Sequence, residues 1–327
     1  MLVASGPYTT DADLTYAPFQ TLLAKAEEQV ADVLILTGPF LDLEHPIIAS
    51  GDFEDHLPSS ARIEPDRATI NDVFRILISD PLQKLVQAVP TITIIMVPSM
   101  RDAISKHVSW PQDRFPKGPL GLPKQAQVVT NPIVLSINEM VVAISTQDVL
   151  LELRRENVFQ AGKGQAFSDD MLARLTNSVI EQRHFFPVFP PAAREDLPKP
   201  SGIVGEVPEV GGEERMPVGA SPDISYLKLA EWINVRPDVL VLPSALNPFV
   251  KVSNAITPSR TRTLANIVQV IEGITCLNPG TLSKKRGAGH YAALNVQPRS
   301  LSEEEREAGQ AVAHNVFERT RVDITRI

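Results

Sequence analysis

Eight short runs of consecutive apolar residues, dense in Val and Ile, mark this sequence at positions 1–4, 32–37, 91–97, 133–137, 141–145, 239–242, 274–277 and 291–296. A strand that is wet on one side alternates apolar and polar residues, whereas consecutive apolar residues mark a strand buried on both faces. Between the runs lie helical patterns. Phe19, Leu22, Leu23, Ala26 and Val30 share one helical face, and Ile70, Val73, Phe74 and Leu77 share another. A third helix is expected to open at Ser168, with Leu172, Leu175 and Val179 inward and Asp169-Asp170 in its first turn, where carboxylates oppose the positive end of the helix dipole. Strands covered on both faces require other layers above and below them, so the pattern predicts a layered α/β core. The runs at 133–137 and 141–145, turning at Asn138-Glu139, predict a hairpin and therefore mixed sheets.

Length and composition narrow the function classes. The 327 residues, 43% of them hydrophobic, suffice for one large domain with insertions. A formal charge of -8 disfavours a general, non-specific grip on nucleic acid, because the surface as a whole repels phosphates. The single cysteine, Cys276, has no partner for an intrachain disulfide; it sits in an apolar run that reads as a buried strand, and a reducing compartment is expected. No apolar stretch approaches the roughly 20 residues of a membrane-spanning helix. The 28 prolines cluster in segments such as Pro187-Val188-Phe189-Pro190-Pro191 and predict long, stiffened loops. Residues 192–221, rich in Gly, Pro and Glu without an apolar period, are expected to be a disordered insertion. Ser302 and Glu305 form a capping-box pattern that predicts a solvated helix before a closing strand at 321–327.

In α/β sheets the chemistry gathers in the loops beyond the carboxyl ends of the strands. Those loops read Ser5-Gly6-Pro7, Gly38-Pro39-Phe40-Leu41-Asp42, Pro98-Ser99-Met100-Arg101-Asp102, Pro243-Ser244-Ala245-Leu246 and Asn278-Pro279-Gly280. Their order and strand context resemble the signature loops of calcineurin-like metallophosphoesterases, a sandwich of mixed sheets flanked by helices whose loops supply Asp, Asn and His ligands to two metals. At the positions matching those ligands this sequence carries Ser5 to Pro7, Pro39, Met100, Arg101, Ser244 and Leu246, while Gly38, Asp42, Asp102 and Asn278 match the family's frame. Two adjacent divalent ions need several carboxylates and imidazoles together. Pro, Met and Leu offer no such ligand and Arg101 brings positive charge, so no metal, no other cofactor and no catalytic residue is expected. The six histidines are scattered without ligand spacing.

A narrower resemblance covers nearly the whole chain. Ala4-Ser5-Gly6-Pro7-Tyr8-Thr9, Gly38-Pro39-Phe40-Leu41-Asp42 with His45-Pro46, Val97-Pro98-Ser99-Met100-Arg101-Asp102, Gln182-Arg183-His184-Phe185-Phe186-Pro187 and Cys276-Leu277-Asn278-Pro279-Gly280 resemble the B subunits of eukaryotic DNA polymerase α. The resemblance implies an inactive phosphoesterase domain over residues 1–327. It implies a nuclear, non-catalytic scaffold that holds the C-terminal domain of the catalytic subunit, meets the primase subunits through the complex and touches DNA only indirectly, with no membrane partner. The rival expectation is a working metal-dependent phosphoesterase or nuclease. The family also carries an oligonucleotide/oligosaccharide-binding barrel. No segment here reads as one, so these residues are expected to be one domain of a longer polypeptide or the product of a gene model lacking its N-terminal part. Asp42 and Asp102 read as relics of catalysis or as loop caps, and capping is the expectation; Lys284-Lys285-Arg286 with Gly287 and Gly289 reads as a glycine-rich basic loop able to touch phosphate or as a solvated hairpin tip, and the tip is the expectation. For Phe185, Phe186 and Phe189 two expectations stand side by side, an exposed partner-binding patch and core packing.

Overall fold

A computed structural model of the chain describes residues 1–58, 67–105, 109–158, 170–188, 232–252, 273–299 and 315–327. Residues 192–221, the helix expected after Ser302, and Phe189 lie outside the described residues. In chain order the elements are β1 (Leu2–Ser5), α1 (Ala17–Glu28), β2 (Val33–Thr37), α2 (Pro46–Ser50), α3 (Ile70–Phe74), a π-helical turn (Arg75–Ser79), α4 (Asp80–Ala88), β3 (Thr93–Val97), β4 (Ala126–Val128), β5 (Ile133–Ile137), β6 (Met140–Ile144), α5 (Val149–Glu156) and α6 (Met171–Gln182). There follow β7 (Val239–Val241), β8 (Phe249–Val252), β9 (Thr275–Asn278), β10 (Ser283–Lys284), β11 (Gly287–Ala288), β12 (His290–Val296) and β13 (Thr320–Arg326).

The described strands form two mixed sheets, ordered β13-β12-β1-β2-β3-β4 and β5-β6-β7-β9-β8, and a separate two-stranded β10-β11 hairpin. In the first, β1 to β4 run parallel and β12 and β13 antiparallel. In the second, β6, β7 and β9 run parallel between antiparallel β5 and β8. Successive side chains of a strand point to opposite faces, and here both faces are dry. Val3, Ile35, Ile95 and Val97 of the first sheet meet Val142, Ile144, Val239, Val241 and Leu277 of the second in one buried cluster. Their neighbours one residue away, Leu2, Ala4, Leu34, Leu36, Ile94 and Met96, pack outward against Phe19, Leu22, Phe74 and Leu82 of α1, α3 and α4. On the far side Ala143, Leu240 and Cys276 pack against Leu150, Leu175 and Val179 of α5 and α6. The result is four layers, helix–sheet–sheet–helix, which is why the strand runs are apolar at every position.

Two local expectations need correction. Val30 does not extend the buried face of α1; it is 64% exposed. The helix ends at Glu28, and the N–H groups of Val30 and Ala31 return to the carbonyls of Glu27 and Ala26 at 3.0 and 2.9 Å, the pair of bonds of a Schellman cap. That cap requires a left-handed residue, and Val30 supplies it at φ 46°. A β-branched side chain is strained there. Val30→Gly is therefore expected to raise stability by about 1 kcal/mol, read as a higher midpoint in thermal or urea melts. The second correction concerns α6. Asp170 is its N-cap, not a first-turn residue, and accepts the Ala173 N–H at 3.2 Å; Ser168 and Asp169 lie outside the described residues. The hairpin at Asn138-Glu139 stands as expected, with Ile137 opposite Met140 and Asn138 at φ 53°.

Candidate functional site

The parallel strands of both sheets end at one edge of the sandwich, so the loops after β1, β2, β3, β6 and β7 converge there. They enclose a cleft of about 220 Å³ whose lining includes Ser5, Gly6, Pro7, Gly38, Pro39, Ser99, Met100, Arg101 and Ser244, with Thr281 of the stretch after β9 at its border. The loops are held together by main-chain bonds. Gly6 N–H donates to Thr37 O and Gly38 N–H to Val97 O, both at 2.8 Å, and Leu282 N–H donates to Ser5 O at 2.8 Å. Phe40 anchors the second loop in the helix-side core, stacked on Tyr8 at 5.4 Å and edge-on to Phe74 and Phe115 at 6.2 and 5.9 Å. The Tyr16 hydroxyl donates to the Phe40 carbonyl at 2.8 Å.

Asp42 and Asp102 stand behind the cleft wall, not in its lining. Asp102 is 1% exposed. One of its carboxylate oxygens accepts the N–H groups of Phe40 and Leu41, and the other accepts that of Ser99 at 2.7 Å. One side chain thus ties the loop after β2 to the loop after β3. Burial pushes its carboxyl up to about 7, against the opposing pull of those N–H donors. Asp42 accepts the Glu44 N–H at 3.0 Å and the Nε and Nη2 groups of Arg101. Arg101 also pairs with Glu44 at 2.9 Å. Burial works against the charged guanidinium, but Asp42 and Glu44 outweigh it and hold its pKa above the ordinary value. The capping roles expected for the two aspartates are what the structure shows.

Space is as constrained as charge. A Cβ on Gly38 would meet the Asp102 carboxylate, and would lie 2.8 Å from Ser99 Cβ and 2.9 Å from its nitrogen. Gly38→Ala is expected to cost about 1–3 kcal/mol through this overpacking, measurable as a lower denaturant midpoint with an unchanged slope.

The other expected site residues separate. Leu246 is buried in the core between the second sheet and α5 and α6. Asn278, fully buried, accepts the N–H groups of Ser244 and Gly280 at 3.0 and 2.9 Å and donates to the Leu246 carbonyl at 3.2 Å, so it shapes the loop after β7. Phe185 and Phe186 lie in the core, 0% and 5% exposed, not on a surface patch; Phe186 packs 5.8 Å from the Trp110 ring. Sequence reasoning missed Asp148, Glu152, Arg155 and Glu44, all on the cleft. Asp148 caps α5 through the Leu151 N–H at 3.0 Å and crosses the cleft to the Ala245 N–H at 2.7 Å, and burial raises its pKa. Its signal was an Asp directly before the apolar run Val149-Leu150-Leu151. Arg155 pairs with Glu152 at 3.0 Å. Among the described residues no three His, Cys, Asp or Glu side chains are grouped so as to hold a metal ion, and no helix is long and apolar enough to cross a membrane.

Fold and loops together define a layered α/β sandwich whose cleft carboxylates are engaged with the chain's own amides and guanidinium groups. The chain belongs to the DNA polymerase alpha/epsilon B-subunit family, whose model matches residues 1–251. It is 30% identical over 325 residues to the DNA polymerase alpha B subunit of Schizosaccharomyces pombe, covering 99% of this chain and 46% of that protein. The corresponding protein of Saccharomyces cerevisiae is 29% identical over 337 residues, covering 99% and 44%, and that of Mus musculus is 27% identical over 311 residues, covering 92% and 40%. The chain therefore spans less than half the length of these curated relatives.

Proposed function

We propose that the chain is a non-catalytic accessory subunit of a DNA polymerase α–primase complex. In this reading it binds the C-terminal region of the catalytic subunit, meets primase through the complex, and works in the nucleus during the initiation of DNA replication. Family membership supports the accessory role. One observation supports the absence of catalysis: the two aspartates retained from the frame are already engaged behind the cleft wall, Asp102 by three backbone N–H groups and Asp42 by Arg101. The implied dinuclear metal centre of a phosphoesterase does not fit this donor set. The positions that would supply imidazole or carboxylate present Pro39, Met100 and Ser244 instead, and a guanidinium occupies the place between Asp42 and Glu44. The four-layer architecture supports descent from that enzyme frame, with the loop cluster retained as a rigid edge.

Co-expression with the C-terminal region of a polymerase α catalytic subunit tests the assembly role. The expected result is co-purification at one-to-one stoichiometry through size exclusion. Separate elution of two folded proteins would refute the role.

A further inference from the structure

We propose that the concave edge formed by the β10–β11 hairpin and the adjoining ends of β12 and β13 binds the phosphodiester backbone of a nucleic acid. A cavity of about 370 Å³ opens there, lined by Lys284, Arg286, Gly287, Ala288, His290 and Arg326. Four of those six side chains are basic and none is acidic, in a chain whose formal charge is -8. The patch therefore opposes the field of the rest of the molecule, and such a local reversal is what draws a polyanion to one place. Among the described residues Lys284, Arg286 and Arg326 have neither an ion pair nor a side-chain hydrogen bond, so no described side chain neutralises their charge. Lys285 differs, since its charge acts on Glu44 and its carbonyl accepts the Asp11 N–H at 3.1 Å; it is left out of the site.

The cations are held in place by backbone. Lys284 pairs with Gly287 across the hairpin, and His290 pairs with Arg326 across β12 and β13. Three further bonds stitch the two pairs together: Gly289 N–H to Leu282 O at 3.0 Å, His290 N–H to Thr281 O at 2.8 Å and Ile327 N–H to Gly289 O at 3.1 Å. Gly289 has to be glycine, because a Cβ there would strike the Thr281 carbonyl. The Nδ1 atom of His290 is buried without a hydrogen-bond partner. Burial lowers the imidazole's pKa and the nearby Lys284 and Arg326 lower it further, so these charges converge on one ring. An anion in the cavity would complement the Lys284 and Arg326 charges on either side of that ring. Arginine forks match phosphate oxygens in pairs and lysine serves as a point charge. Among the described residues no Phe, Tyr or Trp lines the cavity and His290 is its one aromatic ring, which favours contact with the sugar-phosphate backbone over stacking on successive bases.

The choice of nucleic acid over an acidic peptide rests on the proposed place of the chain in a replicative polymerase, and it departs from the expectation of indirect DNA contact alone. Fluorescence anisotropy with the full chain tests it, using mixed-sequence single-stranded and duplex oligonucleotides of about 20 nucleotides between about 50 and 200 mM salt. Combined Lys284→Gln, Arg286→Gln and Arg326→Gln substitutions are expected to weaken binding roughly tenfold or more and to reduce the salt slope by about 2–3. The charge-preserving pair Lys284→Arg and Arg326→Lys should keep most of the affinity. No binding by the wild-type chain, or an unchanged affinity and slope in the triple variant, would overturn the proposal. So would equally tight binding of a polyglutamate peptide. Capture of the catalytic subunit's C-terminal region is read in parallel, and its retention by the triple variant is expected. Loss of that capture with oligonucleotide binding intact would make the patch a protein interface instead.

Discussion

Asp102→Ala is expected to lower the stability of the folded chain by about 3–5 kcal/mol, because it strands three buried N–H groups that share one acceptor. The Phe40, Leu41 and Ser99 amides belong to buried residues, and the loops after β2 and β3 lose the group that joins them. Asp102→Asn keeps one oxygen but turns an NH2 group toward a donor, so about 2 kcal/mol is expected. The pH dependence separates the two forms of the carboxyl. Unfolded, it ionises near 3.8; folded, near 7. Between those values the folded state holds a proton that the unfolded state has released. The group's contribution is therefore full below about pH 4 and is lost as pH rises toward about 7. Urea melts of wild type and Asp102→Asn should show the gap between them narrowing over that window and levelling above it. A gap that widens from pH 4 to 7 would mean that the carboxylate is held ionised.

Phe185→Ala is the second large effect, with a loss of about 3–5 kcal/mol expected from the transfer and cavity terms of a fully buried ring. The ring is 0% exposed among Val149, Leu175, Val179 and Ile233. The measurement is a paired one, melting and capture of the catalytic subunit's C-terminal region by the folded variant at low temperature. Capture should persist while the melt falls. An unchanged melt with capture abolished would restore Phe185 to an exposed partner-binding patch.

The layered core was legible because burial on both faces leaves a signature that needs no tertiary knowledge. Leu34-Ile35-Leu36 is apolar at every position since even positions meet helices and the odd one meets the other sheet. The hairpin at Asn138-Glu139 was legible because turn chemistry is local. Short elements were not: β10 and β11 have two residues each and β4 three, too few for any period to register. Val30 misled because apolar spacing cannot reveal where a helix stops when the stop is made by backbone bonds alone. Of the expected loop positions, Ser5, Gly6, Pro7, Gly38, Pro39, Ser99, Met100, Arg101 and Ser244 line the cleft while Asp42, Asp102, Leu246 and Asn278 do not, and the division of labour among them was only half visible. That Asp102 caps was readable from its type. That it bridges two loops separated by about 60 residues, or that Asp148 reaches Ala245 across the cleft, depends on the sheets converging. The aromatic run at Phe185-Phe186 reads equally as patch or core, and only the packing of α6 against the second sheet decides it.

The central claim is that the loop cluster is a structural edge and not a metal-dependent active site. Hydrolysis of bis(p-nitrophenyl) phosphate by the purified chain in excess manganese, with and without chelator, tests it most directly. The account predicts turnover no faster than buffer and indifferent to chelator; turnover that chelation abolishes and manganese restores would contradict it.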